Sequence, residues 1–165
     1  NQSGHISNVG FDLYCQLLRR TIAQMQGKTP PPLMDVAVRI DFLNLSPASG
    51  KLKDGAFIPY EYVEDENLRL RLYQRVSALA EKKEITLIKK EIKDRFGPLP
   101  APVQRLLLIA QLRIIAAKKG ITAITVRNDQ VMLNTDKGFI TQAGQHPRLK
   151  GISPTERLKE LIQLL

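Results

Sequence analysis

The chain has 165 residues, with Lys+Arg 25 against Asp+Glu 16 and a net charge of +9, and its 43% hydrophobic and 25% charged residues sit near globular averages. These figures support one domain of ordinary size and exclude wholesale disorder and collagen-like repeats. No apolar run approaches the ~20 residues of a membrane-spanning helix, no signal-peptide pattern opens the chain, and one Cys with two His falls short of an internal disulfide or a Cys/His zinc site. A soluble, cytoplasmic protein is expected. The opening Asn1 and a polar, glycine-bearing stretch leading straight into a helical pattern read as a piece of a longer protein.

From Val9 to Met25, Phe11, Leu13, Tyr14, Leu17, Leu18, Ile22 and Met25 recur at helical spacing. Gly27 and Pro30-Pro31-Pro32 end that helix and give a stiff spacer, the best domain boundary in the sequence. Val36, Val38, Ile40 and Phe42 then alternate with polar or small residues, the period of a half-buried strand. A polar stretch from Ser46 to Asp54 leads to the short apolar run Ala56-Phe57-Ile58. Asp65 is placed to cap a helix whose stripe is Leu68, Leu72, Val76 and Leu79, with Arg69, Arg71 and Arg75 outside it. Ile85, Ile88, Ile92 and Phe96 form the stripe of a further helix, stopped by Gly97-Pro98.

A long helix from about Ala101 to Lys119 is apolar on most of its circumference and reads as the central one. Gly120 ends it, and Ile121 to Val126 has the β-branched content of a strand. Asn128-Asp129 suits a tight turn into Val131 to Leu133, and Asp136-Lys137-Gly138 suits a second turn before Phe139-Ile140. Ser153-Pro154-Thr155-Glu156 is a capping box with proline at the first helical position, opening a helix with Leu158, Leu161, Ile162 and Leu165. Helices and strands segregate along the chain, so the expected class is α+β: a small antiparallel sheet packed with several helices, preceded by a separate N-terminal helix.

More than half of the positive excess lies between Pro98 and Asn128, which holds Arg105, Arg113, Lys118, Lys119 and Arg127 and no acid. Arg105, Arg113, Lys118 and Lys119 are candidate DNA contacts. Their spacing is diffuse, with no aromatic residues interleaved for base stacking, and a solvated polar face explains them more simply. No phosphate-binding loop, dinucleotide fingerprint, nucleophile elbow or zinc-protease motif occurs. Cys15 sits within a helix pattern as a small apolar residue, while His5 and His146 lie in loops without a nucleophile or carboxylate nearby in sequence. Carboxylates such as Asp65 and Glu66 fit capping and solvation.

One surface is more specific. At 100° per residue, the stripe Ile85, Ile88, Ile92 and Phe96 leaves Leu87, Lys90, Glu91 and Asp94 on the opposite side of their helix. An outward Leu beside two acids on a basic chain fits either exposed pairing of the acids with neighbouring Lys and Arg or a protein-docking patch that selects its partner by charge. Leu108, Leu112 and Ile115 on the long helix fit burial under the C-terminal helix. Phe57, Tyr60 and Tyr62 around Pro59 fit core packing, with an exposed hot spot as the sharper alternative.

Gln2-Ser3-Gly4-His5-Ile6 and the run Val9 to Leu18 resemble the end of the translocation motif shared by the bacterial transcription-repair coupling factors (Mfd) and the RecG helicases. Phe57-Ile58-Pro59 through Arg75, and Asp94-Arg95-Phe96-Gly97-Pro98-Leu99-Pro100 leading into Gly120-Ile121, resemble the C-terminal domain of the coupling factors, which RecG lacks. The D-R-F-G-P-L-P run is the most specific of these signals.

The resemblance implies two parts: residues 1–33 as a translocation-motif tail, including Gln2, Gly4 and His5, and residues 34–165 as a C-terminal regulatory domain. It implies a parent enzyme that is an ATP-driven double-stranded DNA translocase, displacing stalled RNA polymerase and recruiting the excision-repair protein UvrA. ATP and Mg would belong to motor domains elsewhere in that parent; for this fragment, no catalytic residue, cofactor or metal is expected. Partners implied are the parent's UvrB-like N-terminal module, indirectly UvrA and RNA polymerase, and DNA through the parent, with no membrane. In the family the C-terminal domain masks the UvrA-binding surface by docking on that module, using acids that correspond to Glu91 and Asp94. The competing expectation is an auxiliary duplex-DNA-binding domain of the same translocase.

Overall fold

The alternation of Val36, Val38 and Ile40 forms strand β1 (Ala37–Ile40) in the computed structural model, which describes Gly27 and residues 36–43 and 54–165. After it come helices α1 (Glu66–Ser77), α2 (Lys82–Phe96) and α3 (Ala101–Lys118), strands β2 (Ile121–Arg127), β3 (Gln130–Thr135) and β4 (Gly138–Ile140), and helix α4 (Pro154–Leu164). The expected helix from Val9 to Met25, the triple-proline spacer and most of the polar stretch from Ser46 to Asp54 lie outside the described residues.

The class is α+β, as the segregation of helical and strand patterns implies. The four strands lie in the order β1-β2-β3-β4. The last three form the expected antiparallel meander. β1, however, runs parallel to β2, with Ala37 opposite Ala123 and Ile40 opposite Val126, so the sheet is mixed rather than wholly antiparallel. Period-2 alternation is the same for both pairings. What decides here is the connection: α1, α2 and α3 all intervene between β1 and β2, and a crossover of that length lets the chain return in the same direction.

Turn chemistry matches the backbone. Asn128 and Asp129 have φ of 47° and 69°, the left-handed pair that a two-residue hairpin needs and that Asn and Asp tolerate better than most residues. Asp65 accepts a hydrogen bond from the Leu68 amide at 2.9 Å to cap α1. Ser153 and Glu156 close the reciprocal capping box at the start of α4.

The long helix α3 organises the core, touching β2 and all three other described helices. Its Leu106, Ile109 and Leu112 are fully buried together with Leu158 and Leu161 of α4 and Ile124 of β2. Each such side chain contributes roughly 1.5–3 kcal/mol through removal of apolar area from water. The near-continuous apolar circumference of α3 is the sequence correlate of a helix walled in on several sides.

Candidate docking face

The face that the helical wheel singles out is built by α1 and α2. Ile85, Ile88 and Ile92 are buried, which fixes the rotation of α2 and turns Leu87, Lys90, Glu91 and Asp94 outward. Both ends of the helix are held. At the start, the Glu84 carboxylate accepts from the Ala80 and Glu81 amides, each at 2.8 Å, and these bonds hold its pKa below the usual range. At the end, Gly97 takes a φ of 92° and its amide bonds the Lys93 carbonyl at 2.9 Å. The Gly97 carbonyl accepts the Tyr62 hydroxyl at 2.8 Å.

Leu87 is 67% exposed in the middle of α2, and with Lys90, Glu91, Asp94 and Arg95 it lines a shallow open depression. The expected exposed pairing with a neighbouring cation is met at one of the two acids. Glu91 pairs with a neighbouring cation: Arg75, in the last turn of α1, donates from both terminal nitrogens to its two carboxylate oxygens at 2.6 and 2.7 Å. Asp94, one turn further on, is exposed and has no ion pair among the described residues. The Arg75 hydrogen bond holds the Glu91 carboxyl below the usual range, and the same bond holds the guanidinium up. Both side chains remain about half exposed, 49% for Arg75 and 47% for Glu91, so solvent screens much of this attraction.

The inter-helix pair is the element that reading the sequence did not reach. The helical periodicity sets Arg75 and Glu91 each off the core stripe of its own helix. Spacing within one helix reports neighbours three and four residues apart, not which face of a second helix lies alongside.

The candidate basic contacts do not come together. Arg105 is buried at 5% exposure; its Nε donates to the Gly55 carbonyl at 2.8 Å, and a terminal nitrogen lies 3.5 Å from the Thr155 hydroxyl. It tethers α3 to the segment before α1 and to the first turn of α4, which corrects its reading as a DNA contact: a guanidinium withdrawn from solvent cannot reach a phosphate backbone. Arg113 is half-buried on the same helix, and burial pushes its guanidinium down to about 10. Lys118 and Lys119 are exposed at the helix end. Gln2, Gly4, His5 and Cys15 lie outside the described residues.

The lesser candidates fall as their residue types suggest. Leu112 is fully buried while Leu108 and Ile115 are half-buried, and α4 packs on their helix. Phe57 and Tyr62 are half-buried; Tyr60 is 61% exposed, with the Arg69 guanidinium 5.4 Å from its ring centre. His146 is half-buried and meets Phe139 edge-on at 5.2 Å. Among the described residues no group of His, Cys, Asp and Glu could hold a metal ion, and no helix is long and apolar enough to cross a membrane.

The arrangement of a mixed four-stranded sheet with helices around α3 is that of a solved domain described as the C-terminal domain of transcription-repair coupling factor, with a TM-score of 0.60 and 15% identity over 78% of this chain and 89% of that one. This likeness concerns the fold. The TRCF domain family matches residues 52–142, and the chain belongs to that family. It is 35% identical to the transcription-repair-coupling factor of Escherichia coli (strain K12) over 97% of its length and 14% of that protein's. The Mycobacterium tuberculosis (strain CDC 1551 / Oshkosh) protein of the same name is 34% identical over 75% of this chain and 10% of its own length. The Staphylococcus haemolyticus (strain JCSC1435) protein is 28% identical over 97% and 13%. The chain thus spans between 10% and 20% of the length of such relatives.

Proposed function

We propose that this chain is the C-terminal regulatory part of a cytoplasmic transcription-repair coupling factor, an ATP-dependent DNA translocase that displaces stalled RNA polymerase and recruits UvrA in nucleotide excision repair. Residues 34–165 form the regulatory domain, and residues 1–33 are the tail of the translocation motif. The fragment is not itself the catalyst; ATP and Mg serve motor domains elsewhere in the parent. Its task is to hold the parent inactive by docking on the UvrB-like module and covering the UvrA-binding surface.

The observation that carries this reading is the exposure of Leu87 on α2 in a depression it lines with Lys90, Glu91, Asp94 and Arg95. An exposed apolar side chain beside charged ones suits a protein interface, where the charges supply selectivity and orientation. A guanidinium on the partner module is the natural complement of Asp94 and Glu91, since carboxylate with guanidinium is directional and charge-assisted. Autoinhibition of this kind needs a closed state favoured by only a few kcal/mol, so that engagement elsewhere releases it.

Reversing the charge at both positions, Glu91→Arg with Asp94→Arg, in the full-length protein tests this. Basal ATPase activity and UvrA binding are both expected to rise. Unchanged values in both would remove the docking role from this face.

A further inference from the structure

We propose that Arg75 is a positioning residue that competes from within the domain for the carboxylate used in docking, and so keeps the closed state breakable. This rests on the reading of the α2 face as the docking surface. Arg75 fills both oxygens of Glu91 in fork-to-fork geometry, at 2.6 and 2.7 Å. A second guanidinium seeking the same bidentate geometry has to displace it, because that arrangement uses both carboxylate oxygens. Asp94 carries no such internal partner among the described residues. The two acids are therefore unequal: Asp94 is exposed without an internal ion pair among the described residues, whereas bidentate pairing at Glu91 requires Arg75 to let go.

Charge points the same way. With Arg75 included, the surface presents Arg75, Lys90 and Arg95 against Glu91 and Asp94, so a cationic partner meets a face with a small positive excess. Removing the Arg75 charge balances the face and frees Glu91 in one step. Location favours Arg75 where it is: a cation in the last turn of α1 is stabilised by the carbonyl end of that helix. The internal pair is about half exposed at both ends, and exposed pairs of this kind are weak. Such a competitor tunes docking without abolishing it.

The test uses the full-length protein, with the UvrA concentration for half-maximal binding and the basal ATPase rate as readouts. Arg75→Gln is expected to raise the half-maximal UvrA concentration by about two- to fivefold, the range spanned by one exposed ion pair, and to lower the basal rate. Arg75→Lys, which keeps the charge and loses the fork, falls between. In the Glu91→Gln background the effect of Arg75→Gln shrinks to what the loss of one surface charge leaves, since the carboxylate competed for is gone. A structural role for Arg75 predicts the opposite sign, with a loosened α1–α2 contact easing UvrA binding. If Arg75→Gln eases UvrA binding, leaves it unchanged, or acts equally in the Glu91→Gln background, the competition is overturned while the docking reading stands. If Glu91→Gln and Asp94→Asn each leave UvrA binding unchanged, the docking reading itself falls, and the competition with it.

Discussion

Tyr62 donates its hydroxyl proton to the Gly97 carbonyl at 2.8 Å across a sequence separation of 35, and its ring centre lies 5.9 Å from that of Phe96. One side chain thus ties the segment ahead of α1 to the capped end of α2, within a turn of Asp94. Burial raises the phenol's pKa, so the group stays a neutral donor at physiological pH. The left-handed backbone of Gly97, the helix end it produces and the tyrosine bond are one device that fixes where α2 stops.

Tyr62→Phe keeps the ring and removes only the bond, leaving the Gly97 carbonyl without this donor. A cost of about 1 kcal/mol is expected, equivalent to a fall of about 2–4 °C in Tm for a chain of this size. Thermal unfolding followed by circular dichroism measures it; a Tm within 1 °C of the parent's would mean that the bond contributes nothing net.

The Arg75–Glu91 pair sets a pH dependence whose sign follows from the glutamate. Its folded pKa lies below the ordinary value because Arg75 bonds the ionised form, so the pair's contribution is fully present above the unfolded glutamate pKa of about 4.3 and is lost as pH falls through the lower folded value. Arg75 is held above its own ordinary value and stays charged throughout that range. The stability difference between the parent and Glu91→Gln, taken from urea unfolding, is expected to be constant from pH 6 to 8 and to vanish in acid. A difference that grows on acidification would contradict this pairing.

Arg105 and Lys118 differ in burial and therefore in consequence. Arg105→Met leaves the Gly55 carbonyl without its 2.8 Å donor in a buried setting, with an expected cost of about 1–3 kcal/mol. Lys118→Ala, at the exposed end of α3, is expected to stay within about 0.5 kcal/mol of the parent. Chemical denaturation of the two variants gives the comparison; equal effects would mean that the buried tether is energetically silent.

What the sequence makes legible here are features carried by local rules. Asp65, Ser153 and Gly97 mark helix ends because capping needs those residue types, and the stripe Ile85, Ile88 and Ile92 sets the rotation of α2, hence the outward placement of Leu87. The parallel pairing of β1 with β2 was not legible, because the alternation of Val36, Val38 and Ile40 suits a neighbour running either way. Nor was the burial of Arg105. It sits among apolar residues on α3, yet a basic residue in a basic stretch reads as surface until the chain brings the Gly55 carbonyl to it from 50 residues away in sequence. The Arg75–Glu91 pair had the same obstacle: each residue's own helix says that it faces away from the core, and only the packing of α1 beside α2 says that the two meet.

Leu87 separates a folding role from a docking role more cleanly than any charged neighbour. At 67% exposure its side chain contributes little to the core, so Leu87→Ser is expected to change stability by no more than about 0.5 kcal/mol. Serine also lowers helix propensity by a few tenths of a kcal/mol at an interior position, which stays inside that window. If the α2 face docks on a partner module, the same substitution removes the apolar part of the contact and is expected to raise basal ATPase activity and UvrA binding of the full-length protein, with its charges untouched. Measuring Tm and ATPase rate on one variant therefore distinguishes the cases. Unaltered stability with raised activity supports docking through Leu87, whereas unaltered stability with unaltered activity would show that this exposed leucine takes no part in holding the parent closed.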